Sequence, residues 1–380
     1  MVVAPAALAR DFSALDRALQ AEMRTTGPGA LVLIDAKTAR RVYEFADPRL
    51  RGRNLFTPGS LAKPWSAAVL LKHAAELDYA PERNFRCAGR FYPTGTIAPV
   101  SGDRRVLHFR KDAAGREYLP CSKPKGHGRV GLTEALAQSC NAYFLTAAGR
   151  HPRRFYELLL SEWAFSAPRS HAMQAVSADG LPGDGGGSAA SVGPWGRSPL
   201  PVLQRAVAPS RLSPLLATTA AIGEGGALRI SPARAAQLFL AQVNGGRVLA
   251  LQNAANPGGA SRLGPRRIQS LRFLPHDLSR IRFALGRTAE SGTLSGLSRE
   301  LAGMPAKSGG PLRVLAAKTG TATPYAKRYG SHGWLAMQVQ STSGAIRKQY
   351  VLVAFVQTGS GGSEARRLAM RALSLPGLSL

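Results

Sequence analysis

Apolar positions recur along this chain with two different periods, and the switch between them marks out its layout. Residues 11–25, DFSALDRALQAEMRT, put Phe12, Leu15, Leu19 and Met23 at helical spacing and predict an amphipathic helix packed on the rest of the molecule. In ALVLIDAKTARRVYEF, an apolar run from Ala30 to Ile34, a polar turn near Asp35 to Arg40 and a returning run predict a β-hairpin. LAKPWSAAVLLKHAAEL is helical in pattern, and Pro64 falls in its first turn, where a helix has no internal N–H partner to lose. SPARAAQLFLAQVNGG predicts another helix, opened by Pro at its second position and ended by Asn-Gly-Gly. Toward the C-terminus the period changes: LRVLAAKTGTA, HGWLAMQVQ and QYVLVAFVQTG predict three strands, and SEARRLAMRALS a closing helix. From Ser166 to Pro214, Gly, Pro and Ser crowd together. Ordered patterns resume on both sides, so this stretch reads as a long loop, with a flexible linker as the competing reading. Strands, then helices, then strands and a helix imply one sheet assembled from both ends of the chain, with the helices between.

Composition then bounds the classes of function. Hydrophobic residues at 44% exclude a disordered chain, and 380 residues suffice for one large domain or two ordinary ones. Fifty Lys and Arg against 22 Asp and Glu give +28, which would attract any anionic polymer: nucleic acid, an acidic membrane surface or an acidic cell-wall polymer. Forty of the fifty are Arg and ten are Lys, so a lysine at a central place is informative, because it can give up its proton and arginine cannot. No apolar run reaches the length of about 18 residues that a transmembrane helix needs. MVVAPAALARDF is too short in its apolar part to read as a signal peptide.

The candidate chemistry starts in LFTPGSLAKPW, where Ser60 stands three residues before Lys63. That spacing alone is weak, since Ser122 and Lys125 repeat it in CSKPKG. Pro124 interrupts the second pair and no helical pattern follows it, so Ser122 and Lys125 read as a decoy. On a helix, positions i and i+3 share a face, which lets the Lys63 amine reach the Ser60 hydroxyl and serve as its base. Two further patterns follow in order: Ser139-Cys140-Asn141 and Lys318-Thr319-Gly320-Thr321. Ser139 offers a second hydroxyl to pass a proton, and Asn141 a donor and an acceptor for a substrate amide. Lys318 can depress the basicity of Lys63 by charge repulsion. Gly320 would let an extended peptide lie against its strand, and Thr319 and Thr321 add hydroxyls for a terminal carboxylate. Ser139 as a plain helix cap and Lys318 as a surface strand lysine are the bland alternatives.

The ordered trio Ser60-x-x-Lys63, Ser139-x-Asn141 and Lys318-Thr319-Gly320 matches the signatures of penicillin-recognising serine acyltransferases. The flanks ALVLIDAKTARRVYEF, FTPGSLAKP, GHGRVGLTEALAQSCNAYF, AIGEGGALRISPARAAQLFLAQVNGG and KTGTA with HGWLAMQV resemble penicillin-binding transpeptidase domains across residues 30–375, above all the class B, cell-elongation kind. The resemblance implies an α/β fold of the α+β type: a five-stranded antiparallel sheet flanked by helices, plus an all-helical subdomain. Residues 1–29 would form a helical segment packed on a transpeptidase domain at 30–380, with the helical subdomain and long loops inserted at about 60–300. It also implies a peptidoglycan D,D-transpeptidase acylated at Ser60 by an acyl-D-Ala-D-Ala stem peptide, with the backbone N–H groups of Ser60 and Thr321 as oxyanion hole. Such a protein would bind β-lactams covalently, need no cofactor for catalysis and work with a glycosyltransferase or cell-wall complex outside the cytoplasm. The N-terminal pedestal and membrane anchor of class B enzymes are expected to be absent. A carboxypeptidase, a β-lactamase or a non-catalytic penicillin-binding sensor on the same fold are the rival functions; no Glu-x-x-Leu-Asn element speaks for a β-lactamase. Nucleic acid is not expected as a partner, because the arginines are scattered and no nucleic-acid motif occurs.

All three cysteines, Cys87, Cys121 and Cys140, remain, together with His127. Three thiolates and an imidazole make a closed tetrahedral zinc set, and some elongation-type transpeptidases are similar in holding a structural metal beside this loop. A Cys87–Cys121 disulfide and buried free thiols are the competing readings.

Overall fold

The computed structural model of the chain describes residues 12–50, 54–165, 200, 202–252, 265–304, 311–323, 330–343 and 345–375. Most of the loop expected over 166–214 lies outside them. At its centre is a five-stranded antiparallel sheet made of β1 (Gly29–Asp35), β2 (Arg41–Ala46), β3 (Leu312–Ala322), β4 (His332–Ser343) and β5 (Ile346–Val356), in the order β3-β4-β5-β1-β2. The expected hairpin is β1 and β2. Its turn is fixed by Asp35, whose Oδ1 accepts from the Lys37 and Thr38 N–H groups at 3.0 and 2.8 Å.

Both faces of the sheet are covered, which is why β1 and β5 read as unbroken apolar runs and not as an alternation. Leu31 and Leu33 of β1, with Leu352 and Ala354 of β5, face α1 (Ser13–Thr26) and the C-terminal helix Glu364–Ser374. Phe12, Leu15, Leu19 and Met23, spaced for one face, are all buried there. Each such side chain contributes about 1.5–3 kcal/mol by leaving water. Ala30, Val32 and Ile34 point the other way, into a larger core that continues into the helical part of the chain.

That part is built around α2 (Lys63–Lys72), which is buried on nearly every side from Lys63 to Leu70. A helix apolar all round has no solvent face to keep, so its neighbours enclose it: α3 (Leu132–Ala137), α4 (Asn141–Ala148), α5 (Pro152–Glu162) and α7 (Pro275–Glu290). Between the last two, α6 (Pro232–Val243) lies under the sheet. Its Ser231 cap accepts from the Arg234 N–H at 3.1 Å, and Pro232 opens it as the sequence pattern requires. The C-terminal helix, Glu364–Ser374, is α8. The helix α7 runs along β3 and touches α3, which brings the edge strand and the start of α4 to one place.

Candidate active site

Ser60 does not lie on α2 itself. It sits in a 3₁₀ turn, Gly59–Ala62, and the α-helix starts at Lys63. In a 3₁₀ turn i and i+3 eclipse, so the face shared by Ser60 and Lys63 survives the change of geometry. The turn is clamped from several sides. Phe56 exchanges backbone hydrogen bonds with Ile230 at 2.9 Å, the Trp334 indole donates to the Thr57 carbonyl at 2.9 Å, and the Gly59 N–H donates to the Gly223 carbonyl at 3.1 Å. Gly59 has φ +54, and a Cβ there would stand 2.6 Å from the Thr321 carbonyl. Only glycine lets the residue before Ser60 lie against β3 in that conformation.

Lys63 is fully buried and its ammonium is surrounded by oxygen. It donates to the Ser139 carbonyl at 2.6 Å, the Ser139 hydroxyl at 2.9 Å and Asn141 Oδ1 at 2.6 Å. Lys318, also fully buried, reaches the same hydroxyl from β3 at 3.0 Å and donates to the Thr319 carbonyl at 3.0 Å. Two lysines thus share one serine oxygen. Burial away from water lowers Lys63 to about 8, partly offset by Cys121, Cys140 and Glu224. Burial, and then the repulsion of Lys63, push Lys318 well below the ordinary lysine range. One proton is easily lost from such a pair.

Ser139 ends α3 with φ +57, a left-handed conformation that usually calls for glycine. The strain is held by its neighbours: its carbonyl accepts from Lys63 and from the Ser122 hydroxyl at 3.1 Å. Ser122 is therefore part of the site after all, as a support of Ser139, while Lys125 is exposed. The two ends of the Asn141 amide are engaged inside the protein, Oδ1 by Lys63 and Nδ2 by the Pro120 carbonyl at 3.1 Å. Gly320 has a packing role that the sequence did not show. A Cβ there would stand 2.7 Å from the Pro58 carbonyl, so its bareness admits the Ser60 turn.

Ser60, Ser139, Asn141, Thr319 and Thr321 line a cavity of about 440 Å³, with Lys63 and Lys318 buried behind its wall. Among the lining residues that escaped the sequence reading, three bear on its polar groups. Ser122 was set aside as a decoy. Thr293 bonds the Thr319 hydroxyl at 2.9 Å and donates its N–H to the Ala137 carbonyl at 3.3 Å, and nothing local in SGTLSG marks it. Glu224, half-buried in the cavity, has its carboxyl pushed up to about 8, chiefly by burial. The one signal for it is an acid flanked by glycines in IGEGG.

Cys87, Cys121, His127 and Cys140 meet beside this site, all four ligand atoms lying within 4.8 Å of one another. All three cysteines are free thiols, with no Cys87–Cys121 disulfide. His127 Nδ1 lies 3.5 Å from the Cys87 and Cys121 sulfurs, and the Cys121 and Cys140 sulfurs are 3.7 Å apart. Tetrahedral zinc with Zn–S of about 2.3 Å and Zn–N of about 2.0–2.1 Å has edges of about 3.8 Å between sulfurs and about 3.5 Å from sulfur to nitrogen. The donor set therefore fits zinc in type and in size. Backbone N–H groups of Gly89 and Asn141 donate to the Cys87 and Cys121 sulfurs at 3.4 and 3.2 Å, as thiolate ligands require. The contact with Cys140 holds the Cys121 thiol far below its ordinary range and pushes the Cys140 thiol above it.

Comparison with known proteins points one way. A family model described as penicillin binding protein transpeptidase domain matches residues 107–374, taking in Ser139, Asn141 and Lys318 but not Ser60 or Lys63. Among solved structures, a chain from a peptidoglycan synthase complex that coordinates polymerization and crosslinking is 20% identical with a TM-score of 0.63, covering 97% of this chain and 61% of its own length. The transpeptidase domain of Burkholderia pseudomallei penicillin-binding protein 3 is 15% identical with a TM-score of 0.56, covering 97% of each chain. Helicobacter pylori PBP2, solved in complex with MreC, is 15% identical with a TM-score of 0.58, covering 96% of this chain and 62% of its own. At these identities the likeness is one of fold. No curated protein matches the sequence.

Proposed function

The chain belongs to the family of penicillin-binding protein transpeptidase domains, and on that footing we propose that it is a peptidoglycan D,D-transpeptidase whose nucleophile is Ser60. The observation that carries the reading is the convergence of Lys63 and Lys318 on the Ser139 hydroxyl, at the cavity into which Ser60 opens. A neutral Lys63 has two N–H groups and one lone pair, so one of its three present contacts is released and the lone pair can take the Ser60 proton. The Ser60 oxygen attacks the carbonyl of the D-Ala-D-Ala amide, and the N–H groups of Ser60 and Thr321 receive the negative charge, worth about 3 kcal/mol per donor. The proton returns from Lys63 through Ser139 to the departing D-alanine amine, leaving an ester on Ser60. An amine of a second strand then attacks that ester, forms the new amide and restores the hydroxyl. Lys318, Thr293, Thr319 and Thr321 supply charge and hydroxyls suited to the terminal carboxylate of the donor.

The same chemistry traps a β-lactam. Intact-mass measurement is expected to find one covalent penicillin per chain on the wild type and none on Ser60→Ala. Rapid turnover of nitrocefin would instead mean a β-lactamase, and a donor that is only hydrolysed in the presence of an acceptor amine would mean a carboxypeptidase.

Cys87, Cys121, His127 and Cys140 would hold a structural zinc, which when bound neutralises three thiolates and ties distant loops together. The chain's own residues carry the catalysis. Its substrate would put the protein outside the cytoplasm, although no helix among the described residues is long and apolar enough to cross a membrane. The likeness to chains solved in a synthase complex and with MreC supports work beside a glycosyltransferase and cell-wall scaffold. The charge of +28 suits an anionic wall polymer or membrane surface.

A further inference from the structure

Outside the active site, one stretch of chain combines positive charge with exposed apolar side chains. Residues 266–287 contain six arginines and a single acid, Asp277, which is buried. The same stretch holds Ile268, Leu274 and Phe283, which are 58, 55 and 60% exposed. They are three of the seven large apolar side chains left exposed among the described residues. Folding leaves such groups in water only at a cost, so three within 16 residues call for an explanation.

The buried residues of the stretch fix which way the others face. A short strand, Arg267–Ser270, leads into α7 through Leu271 and Phe273, both buried, with the Phe273 ring 5.6 Å from that of Trp163. Arg272 and Leu274 alternate with them and are exposed. On α7, Leu278, Ile281 and Leu285 face the core, which leaves Ser279, Arg282 and Phe283 in solvent. Leu274 and Phe283 are nine residues apart, about 13–14 Å along a helix axis. Arg280 is tied to Glu82 at 2.7 Å, and Arg287 donates to the Ser291 hydroxyl at 3.2 Å. Arg266, Arg267, Arg272 and Arg282 are exposed, and their guanidiniums have no hydrogen bond or ion pair among the described residues.

We propose that residues 266–283 are a docking surface for a bilayer rich in anionic lipid, with the four free guanidiniums on lipid phosphates and Ile268, Leu274 and Phe283 in the interfacial layer. Charge complementarity and the apolar side chains choose this occupant together. A soluble anionic polymer would satisfy the arginines and leave the three apolar side chains in water. A protein partner would bury a continuous apolar face, whereas Arg272, Ser279 and Arg282 intervene between Ile268, Leu274 and Phe283. A lipid interface accepts apolar side chains one at a time and offers phosphates beside each. The apolar side of α7 is already used by the core, so the contact is made by side-chain tips and the helix lies on the bilayer without entering it. The inference stands apart from the chemistry at Ser60.

Co-sedimentation of the full chain with phosphatidylcholine vesicles, with and without phosphatidylglycerol, at one ionic strength provides the test. The wild type is expected to bind the anionic vesicles at least about tenfold more tightly than the neutral ones. Combining Arg267→Gln, Arg272→Gln and Arg282→Gln lowers the net charge of +28 by only three. Attraction by overall charge would barely notice that change, whereas the docking surface should lose about a hundredfold in affinity. Leu274→Ser with Phe283→Ser keeps the charge and should lose about tenfold. All five positions are exposed, so both variants should melt as the wild type does. A wild type indifferent to phosphatidylglycerol, or an arginine variant that binds as the wild type does, overturns the proposal. So does a serine variant with undiminished binding, which would make the stretch a face for a soluble anionic polymer.

Discussion

Lys63 and Ser139 carry the sharpest expectations at the scale of single residues. Burial lowers Lys63 to about 8, and the neutral amine is the form that can accept a proton. The rate of penicillin acylation should therefore rise as pH increases through about 8 and then level off. A rate constant flat from about pH 6 to about pH 9 would remove Lys63 from the role of base, as would an active Lys63→Arg, since arginine keeps its proton. Ser139 holds φ +57 while its hydroxyl serves two buried lysines. Ser139→Ala and Ser139→Gly both lose that hydroxyl and should both lose acylation by about a hundredfold or more. They should differ in stability, with the glycine variant about 1 kcal/mol the more stable because it alone accepts the left-handed backbone. Equal denaturation midpoints would mean that Ser139 carries no backbone strain.

Among the elements, the contact between the Ser60 turn and β3 sets the geometry of the site. A Cβ at Gly320 would meet the Pro58 carbonyl at 2.7 Å, the Trp334 Cβ at 3.1 Å and the Leu61 Cγ at 3.2 Å. Backbone on one side and packed side chains on the other leave no easy retreat. Gly320→Ala should cost about 1–3 kcal/mol of folding stability and slow acylation, because relief comes only by moving the turn off the strand. Thermal melting and the labelling rate measure the two effects separately. Wild-type values for both would mean the contact has slack.

On the scale of the whole molecule, Cys87, Cys121, His127 and Cys140 join segments far apart in sequence to the loop that holds Ser139 and Asn141. Protein purified without a histidine tag should carry about one zinc per chain, and a strong chelator should lower Tm by on the order of 10 °C. A content below about half an equivalent, or an unchanged Tm after chelation, would end the zinc assignment. Loss of the metal should also slow acylation, because Cys140 lies between Ser139 and Asn141.

The sequence by itself determined the elements and the chemical vocabulary. Periods of 3.6 and 2 are written in neighbouring residues, so α1, the β1–β2 hairpin, α6 and the three C-terminal strands could be read directly, and the three motifs named Ser60, Lys63, Ser139, Asn141 and Lys318. Two local arguments met their limit at the site. Helical spacing put Ser60 on an α-helix where the backbone forms a 3₁₀ turn, and nothing local showed that the bareness of Gly320 accommodates Pro58. Only the tertiary structure decided what meets what. Lys63 and Ser139 are 76 residues apart, and Ser139 and Lys318 are 179. No local pattern encodes their meeting on one oxygen, because it follows from α7 packing α3 against β3. For the same reason Ser122 was set aside and Thr293 passed over: each is ordinary in its own stretch of chain and acquires a role only from the partner that packing brings to it.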